Sequence, residues 1–456
     1  MCDLPRGLFH YCGKPQFDFG GCHLNQRCAP RKTDSDFEAR FARMTCKRTI
    51  AGGAARTVAH LVLLGLLFQS SASAQSHNED FTSQPIEDGG NRPLLNFYRS
   101  LEGASRNEWV ARVLHYGDSH VAADILTGAL RRQFQTGFGD GGPGFVLPGQ
   151  PWRGYHPPGV SSQASPGWET EGLTESSLAA DDRLGLAGIS LKTRLPLESI
   201  SLTAEGAYFT VYALKEPGGG AISLSLDGIV KQSVSLKSKT SEAGSFEVTA
   251  AVGGIHTIRI RTLNSGQVRI FGIVIECNRA GVTYDVLGIN GARASRLLRW
   301  NWNVLEGCLS LRDPDLIIVA YGSNEVGDQN LDLRRYTAML TTLLRRLSEA
   351  APRASLLVIG LPDRAARVGG KWTTMPQVPA LVEAQRQAAF EAGAAFYDLF
   401  EAMGGYGSIA KWATGVKPLA QPDRVHLTTE GYRLVADWIF RELMNGYEQA
   451  ESEGRR

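Results

Sequence analysis

Two short stretches of this 456-residue chain hold residue types that do chemistry together, with Ser119 and His426 lying 307 positions apart. The first, His115-Tyr116-Gly117-Asp118-Ser119-His120, follows the apolar-rich run from Trp109 to Leu114. The second, Asp423-Arg424-Val425-His426, opens the last helical pattern. A serine hydroxyl is a weak nucleophile until an imidazole takes its proton, and the imidazole needs a carboxylate to fix its tautomer and stabilise its charged form. Ser119 supplies the hydroxyl, His426 the base and Asp423 the orienting carboxylate, so the three side chains suit acyl transfer. Either stretch alone is weak evidence, because Gly-Asp-Ser also serves as an ordinary turn and Asp423 as a helix cap.

Two further blocks lie between them. Gly288-Ile289-Asn290-Gly291 is one, and Gly322-Ser323-Asn324-Glu325, directly after the apolar run Leu316 to Ala320, is the other. In this order the four blocks resemble those of the SGNH (GDSL-type) serine hydrolases, over roughly residues 108–160 and 283–445. His120 stands where many members have Leu, and Glu325 where they usually have Asp. The resemblance implies a serine esterase needing neither metal nor cofactor, with Ser119, His426 and Asp423 catalytic. It also implies an oxyanion hole from the Ser119 N–H, the Gly291 N–H and the Asn324 amide. Attack on an ester carbonyl builds negative charge on its oxygen, and donors preorganised for that charge lower the barrier.

The N-terminal part reads as a separate matter. Residues 44–74 have the form of a secretory signal: basic Lys47, Arg48 and Arg56, an apolar core from Val58 to Phe68, and a small-residue end at Ser71-Ala72-Ser73-Ala74. That core is short for a membrane span, so no stable span is expected after cleavage, and the mature protein is expected in the periplasm or secreted. Residues 1–43, ahead of the signal, read as a mis-assigned start or a disordered leader, with Met44 the true beginning. Five of the seven cysteines fall before the cleavage point, and the other two, Cys277 and Cys308, are candidates for pairing in an oxidising compartment. The first 74 residues carry ten basic and five acidic groups, which leaves 38 and 41. A mature net charge near −3 gives no reason to expect nucleic acid as a partner.

The remaining 382 residues are too many for one compact core. From about 168 to 276 they form short alternating runs such as Tyr208-Phe209-Thr210-Val211-Tyr212, with Asp227-Gly228 as a hairpin turn. This predicts an antiparallel β-sandwich of jelly-roll type, inserted between the first and second blocks. On either side, at 90–165 and 283–447, apolar strands alternate with amphipathic helices such as 334–350, which predicts a three-layer α/β domain with a parallel sheet. Ligand sites in such sheets lie at the carboxyl ends of strands, and Ser119, Gly291 and Asn324 each follow a strand-like run.

With the glycine-rich stretch Gly137 to Phe145 and the β insertion, the chain is similar to bacterial peptidoglycan O-acetylesterases and related envelope carbohydrate esterases. That resemblance implies removal of O-acetyl groups from an acetylated polysaccharide. An O-acetyltransferase of the same architecture would share the acyl-enzyme step, and a third reading is a non-catalytic glycan-binding envelope protein. Trp152, Tyr155 and Trp168 are candidates for stacking on sugar rings, and the β insertion is expected to select substrate without carrying chemistry.

Overall fold

The computed structural model describes residues 84–174 and 181–454. The expected leader and signal segment lie outside the described residues. Among those described, no helix is long and apolar enough to cross a membrane.

The chain enters through α1 (Leu95–Ser105), β1 (Val110–Gly117), the single-turn α2 (Ser119–Ala122) and α3 (Leu126–Phe138). An antiparallel unit follows. Its main strands are β2 (Gly144–Val146), β3 (Val160–Ala164), β4 (Glu169–Glu171), β5 (Ser190–Thr193), β6 (Ser199–Lys215), β7 (Ala221–Leu226), β8 (Ile229–Ser235), β9 (Glu242–Thr262) and β10 (Val268–Glu276). The α/β part resumes with β11 (Gly281–Gly288), α4 (Trp302–Arg312), β12 (Leu316–Ala320), α5 (Leu333–Ala350) and β13 (Ser355–Ile359). It closes with the hairpin β14 (Ala365–Val368) and β15 (Lys371–Thr374), then α6 (Val378–Glu391), β16 (Ala395–Tyr397), α7 (Leu399–Ala402), α8 (Ser408–Trp412) and α9 (Thr429–Gly454).

Five strands form a parallel sheet in the order β11-β1-β12-β13-β16. Successive residues on each strand enter opposite cores, as strand geometry requires. Tyr116, Val319 and Val358 pack with α5 and α6, whereas Val113, Ile318 and Leu357 pack with α1, α3 and α9. Helices therefore cover both faces, and β12 reads as an unbroken apolar run for that reason. Helix α5 starts where the Asp332 side chain accepts the N–H of Arg335, and it buries Tyr336, Leu340, Leu343, Leu344 and Leu347 along one stripe.

The antiparallel unit is one hydrogen-bonded network of nine strands. Strands β6 and β9 pair along their whole length through a register shift at Gly206/Tyr208, and apolar residues from both halves, such as Ile200, Val211, Ile258 and Ile270, share one core. The network reaches outside the expected 168–276 span and recruits β2 and β3. It also shares a core with the α/β part, where Phe145, Leu184, Tyr212 and Phe271 lie in one cluster with Trp300 and Leu305. Beneath that contact, Arg312 is 2% exposed and bonds Asp285 (0% exposed), Glu276 and Thr283. Burial works against ionisation of Glu276, but Arg312 and Arg112 outweigh it and hold its carboxyl down at about 2. Cys277 and Cys308 are both buried and free, so the candidate pairing is not made.

Candidate active site

The register of the parallel sheet brings the four blocks together. Gly117 pairs with Gly288 on one side and with Ala320 on the other, so the carboxyl ends of β1, β11 and β12 are level. Ser119, Gly291 and Asn324 stand two, three and four residues beyond those level positions, all at one edge of the sheet. Gly117 is needed where the chain turns, since a Cβ there would lie 2.3 Å from Val121 and 2.7 Å from the Ala320 carbonyl oxygen.

Asp118 begins the turn by accepting the N–H of His120, and Ser119 opens α2. The Ser119 Oγ lies 2.9 Å from His426 Nε2, and His426 Nδ1 lies 2.7 Å from Asp423 Oδ2. The other Asp423 oxygen accepts the backbone N–H groups of Val425 and His426 at 3.0 Å, which folds the loop onto its own carboxylate. Arg424 takes a left-handed φ of 54° to make that loop. Burial opposes the charge of Asp423, but the His426 contact and the two backbone donors prevail and hold its carboxyl below the ordinary value.

His120 lies beside His426, with ring centroids 5.3 Å apart, and its Nδ1 is 2.9 Å from the Tyr432 hydroxyl. Burial, reinforced by the nearby His426, lowers its pKa to about 3. His120 is therefore neutral near pH 7 and does not add a second positive charge behind His426. Burial also lifts Asp118 to about 6, against the opposing pull of the His120 N–H and His426.

The three expected donors stand near one another. Gly291 has a φ of 73°, and a Cβ there would meet open space, so this glycine is required by the backbone conformation and not by crowding. Among the described residues, none accepts a hydrogen bond from the Ser119 or Gly291 N–H. The Asn324 Nδ2 donates one of its two hydrogens to the Ala292 carbonyl at 2.9 Å, which anchors the amide to the Gly291 loop. Glu325 is buried and accepts the Ala294 N–H at 2.8 Å, a second tie between the same two loops. Such an arrangement can activate a hydroxyl and stabilise an oxyanion beside it.

Two features neighbour the site, one around the Trp152 and Tyr155 already noted as stacking candidates and one that was not legible as part of the site. An open cleft adjoins the serine turn, lined by Ala122, Asp124, Arg131, Trp152, Tyr155 and Gly288. The rings of Trp152 and Tyr155 are 4.7 Å apart there and pack on the core shared with the α/β part, and Trp168 packs on the core of the antiparallel unit. On the other flank, the β14–β15 hairpin meets the Asp423–His426 loop, where the Ala365 N–H donates to the Arg424 carbonyl. Its signal in the sequence is Gly369-Gly370 between Ala365-Ala366-Arg367-Val368 and Lys371-Trp372-Thr373-Thr374. Both glycines have positive φ, as a two-residue hairpin turn needs. His256, by contrast, bonds Asp227 and the Val252 carbonyl inside the antiparallel unit.

Residues 273–434 match the GDSL-like lipase/acylhydrolase family. No curated protein matches the chain in sequence. A solved structure of a peptidoglycan O-acetylesterase is similar over 80% of this chain and 99% of its own, at 25% identity and a TM-score of 0.69. A family two carbohydrate esterase from Cellvibrio japonicus is a much looser likeness, at 14% identity and a TM-score of 0.27 over 63% of this chain and 98% of its own.

Proposed function

We propose that this chain, an esterase of the SGNH/GDSL type, is exported and removes O-acetyl groups from a polysaccharide of the bacterial envelope, peptidoglycan first among them. The observation that carries the reading is the continuous hydrogen-bonded line from Ser119 through His426 to Asp423, set beside the Gly291 and Asn324 loops. Similarity to a peptidoglycan O-acetylesterase along nearly all of that protein's length supports the choice of substrate.

In this mechanism His426 Nε2 takes the Ser119 proton as Oγ attacks the acetyl carbonyl. The oxygen that becomes negative accepts from the Ser119 N–H, the Gly291 N–H and the free hydrogen of Asn324 Nδ2. Collapse of the tetrahedral intermediate expels the sugar alkoxide, which leaves as the alcohol with the proton from His426. Water, deprotonated by the same imidazole, then releases acetate and restores the serine. Asp423 holds Nδ1–H and stabilises the imidazolium throughout. The sugar to be deacetylated would lie in the cleft against Trp152 and Tyr155.

A sugar hydroxyl in place of water would turn the same acyl-enzyme into a transferase. Product analysis separates the two: free acetate from an acetylated glycan is the expected result, and an acetylated acceptor formed from an acetyl donor would overturn it.

A further inference from the structure

The flank of the site formed by the β14–β15 hairpin gathers several cations. Arg367 stands opposite Trp372 across the hairpin, and its guanidinium carbon lies 5.6 Å from the centre of the indole ring. Arg424, from the loop that holds Asp423 and His426, approaches the same ring at 4.7 Å. The two guanidinium groups are therefore within about one Debye length of each other at ordinary ionic strength. Arg364, at the foot of the hairpin, donates to the Ser323 carbonyl next to Asn324. Lys371 is exposed at the hairpin's turn.

Among the described residues, none of these four cations forms an ion pair. The nearby carboxylates are committed elsewhere. Asp423 holds His426, and the buried Asp363 accepts from Thr374, Ser408 and the Ile409 N–H. On the opposite flank the contrast is plain, where Arg293 is paired with Asp328. Stacking on Trp372 gathers both guanidinium groups at one ring without neutralising either charge. That charge is available to an anion that enters between the hairpin and the serine. Arginine suits that task, because its planar fork meets a carboxylate with two parallel N–H groups. Arg424 already gives one N–H to the Pro422 carbonyl, so the two-pronged contact falls to Arg367.

We infer that Arg367, Arg424 and Trp372 form a subsite for a carboxylate on the substrate, so that the esterase prefers acetylated glycans bearing carboxyl groups close to the ester over neutral ones. This rests on the polysaccharide reading above, but the subsite itself can be read without it. The antiparallel unit and the Trp152–Tyr155 cleft lie on the β11 side of the sheet, so the anion is met on the side away from the sugar-stacking cleft.

The test measures inhibition of aryl acetate hydrolysis by two oligosaccharides without acetyl groups, an oligogalacturonate and a xylo-oligosaccharide of equal length. The charged one should inhibit at a concentration at least tenfold lower in about 50 mM salt, and that advantage should shrink at least fivefold in 500 mM salt. Arg367→Gln should reduce the advantage about three- to fivefold, and Arg367→Lys should restore most of it. Equal inhibition by both oligosaccharides, or an advantage unaffected by salt and by Arg367→Gln, overturns the subsite. Failure to release acetate from any acetylated glycan would instead count against the polysaccharide reading, and is seen in a separate measurement.

Discussion

Replacing Asp423 asks how much of the activity depends on the carboxylate behind His426. In the proposed mechanism His426 takes the serine proton, and its charge then faces Asp423 across a 2.7 Å contact. Two unit charges about 4 Å apart attract by about 1 kcal/mol in water and about 4 kcal/mol at an effective dielectric of about 20. The Asp423 and His426 side chains are 45% and 35% exposed, so the attraction falls between those limits, at about 2–3 kcal/mol. Asp423→Ala also removes the acceptor for the Val425 and His426 N–H groups, which adds about 1 kcal/mol through a looser loop. The sum predicts a loss of about a hundred- to a thousandfold in kcat/KM. Asp423→Asn should be no better than Ala, despite its matching shape. If its amide oxygen stays on the loop N–H groups, its NH₂ faces Nδ1 and forces the proton onto Nε2, the atom that must accept from Ser119. The assay is steady-state hydrolysis of a short aryl acetate, with circular dichroism showing both variants folded. An Asn variant within tenfold of the wild type would refute the reasoning, as would an Ala variant as inactive as one lacking the serine.

Ser119→Ala should lose aryl acetate hydrolysis by several orders of magnitude, while a chelator should leave the wild-type rate unchanged; retained activity in the variant sinks the nucleophile assignment. Burial lifts the Glu325 carboxyl to about 7, so its contribution to stability is full below the ordinary value of 4.5 and is lost as pH rises through 7. Glu325→Gln keeps an acceptor for Ala294 without the charge, and its Tm relative to wild type should rise by roughly 2 °C or more between pH 5 and pH 8; a difference independent of pH would count against it. Arg312→Met leaves Asp285 charged and buried without its partner, and denaturant melts should show a loss of about 3–5 kcal/mol. A melt within 1 kcal/mol of wild type, by that scale, would mean that the network is dispensable.

The triad and the alternation of strand and helix were legible because both are written in local residue types. A buried parallel strand must be apolar throughout, as Leu316 to Ala320 is, and a helix on its face must repeat its apolar positions, as α5 does. What escaped depends on pairing between distant residues. Nothing around Gly144–Val146 announces that these residues will leave the α/β part and pair with β10. Nor does the alternation of β6 reveal that Tyr212 and Leu214 will face the same core as Leu305, which makes excision of residues 168–276 a change to the α/β core as well. The cation flank escaped for a related reason, since Arg367 and Arg424 are 57 positions apart and meet only through Trp372.

Glu325 shows the same limit at one residue. In the sequence it is a departure from an Asp pattern beside the residue of interest, and its effect looks small. In the fold its carboxyl reaches the Ala294 N–H, while Asn324 reaches the Ala292 carbonyl in the opposite sense. The loop bearing Gly291 is thus held at two points by consecutive residues of the loop after β12. The proposed oxyanion hole takes two of its three donors from these two loops, and it works only if their spacing is fixed before the substrate arrives, because donors that must reorganise during the reaction lose most of their advantage. Those two bonds tie Asn324 and Glu325 to Ala292 and Ala294, directly after Gly291, and the departure at Glu325 supplies one of them.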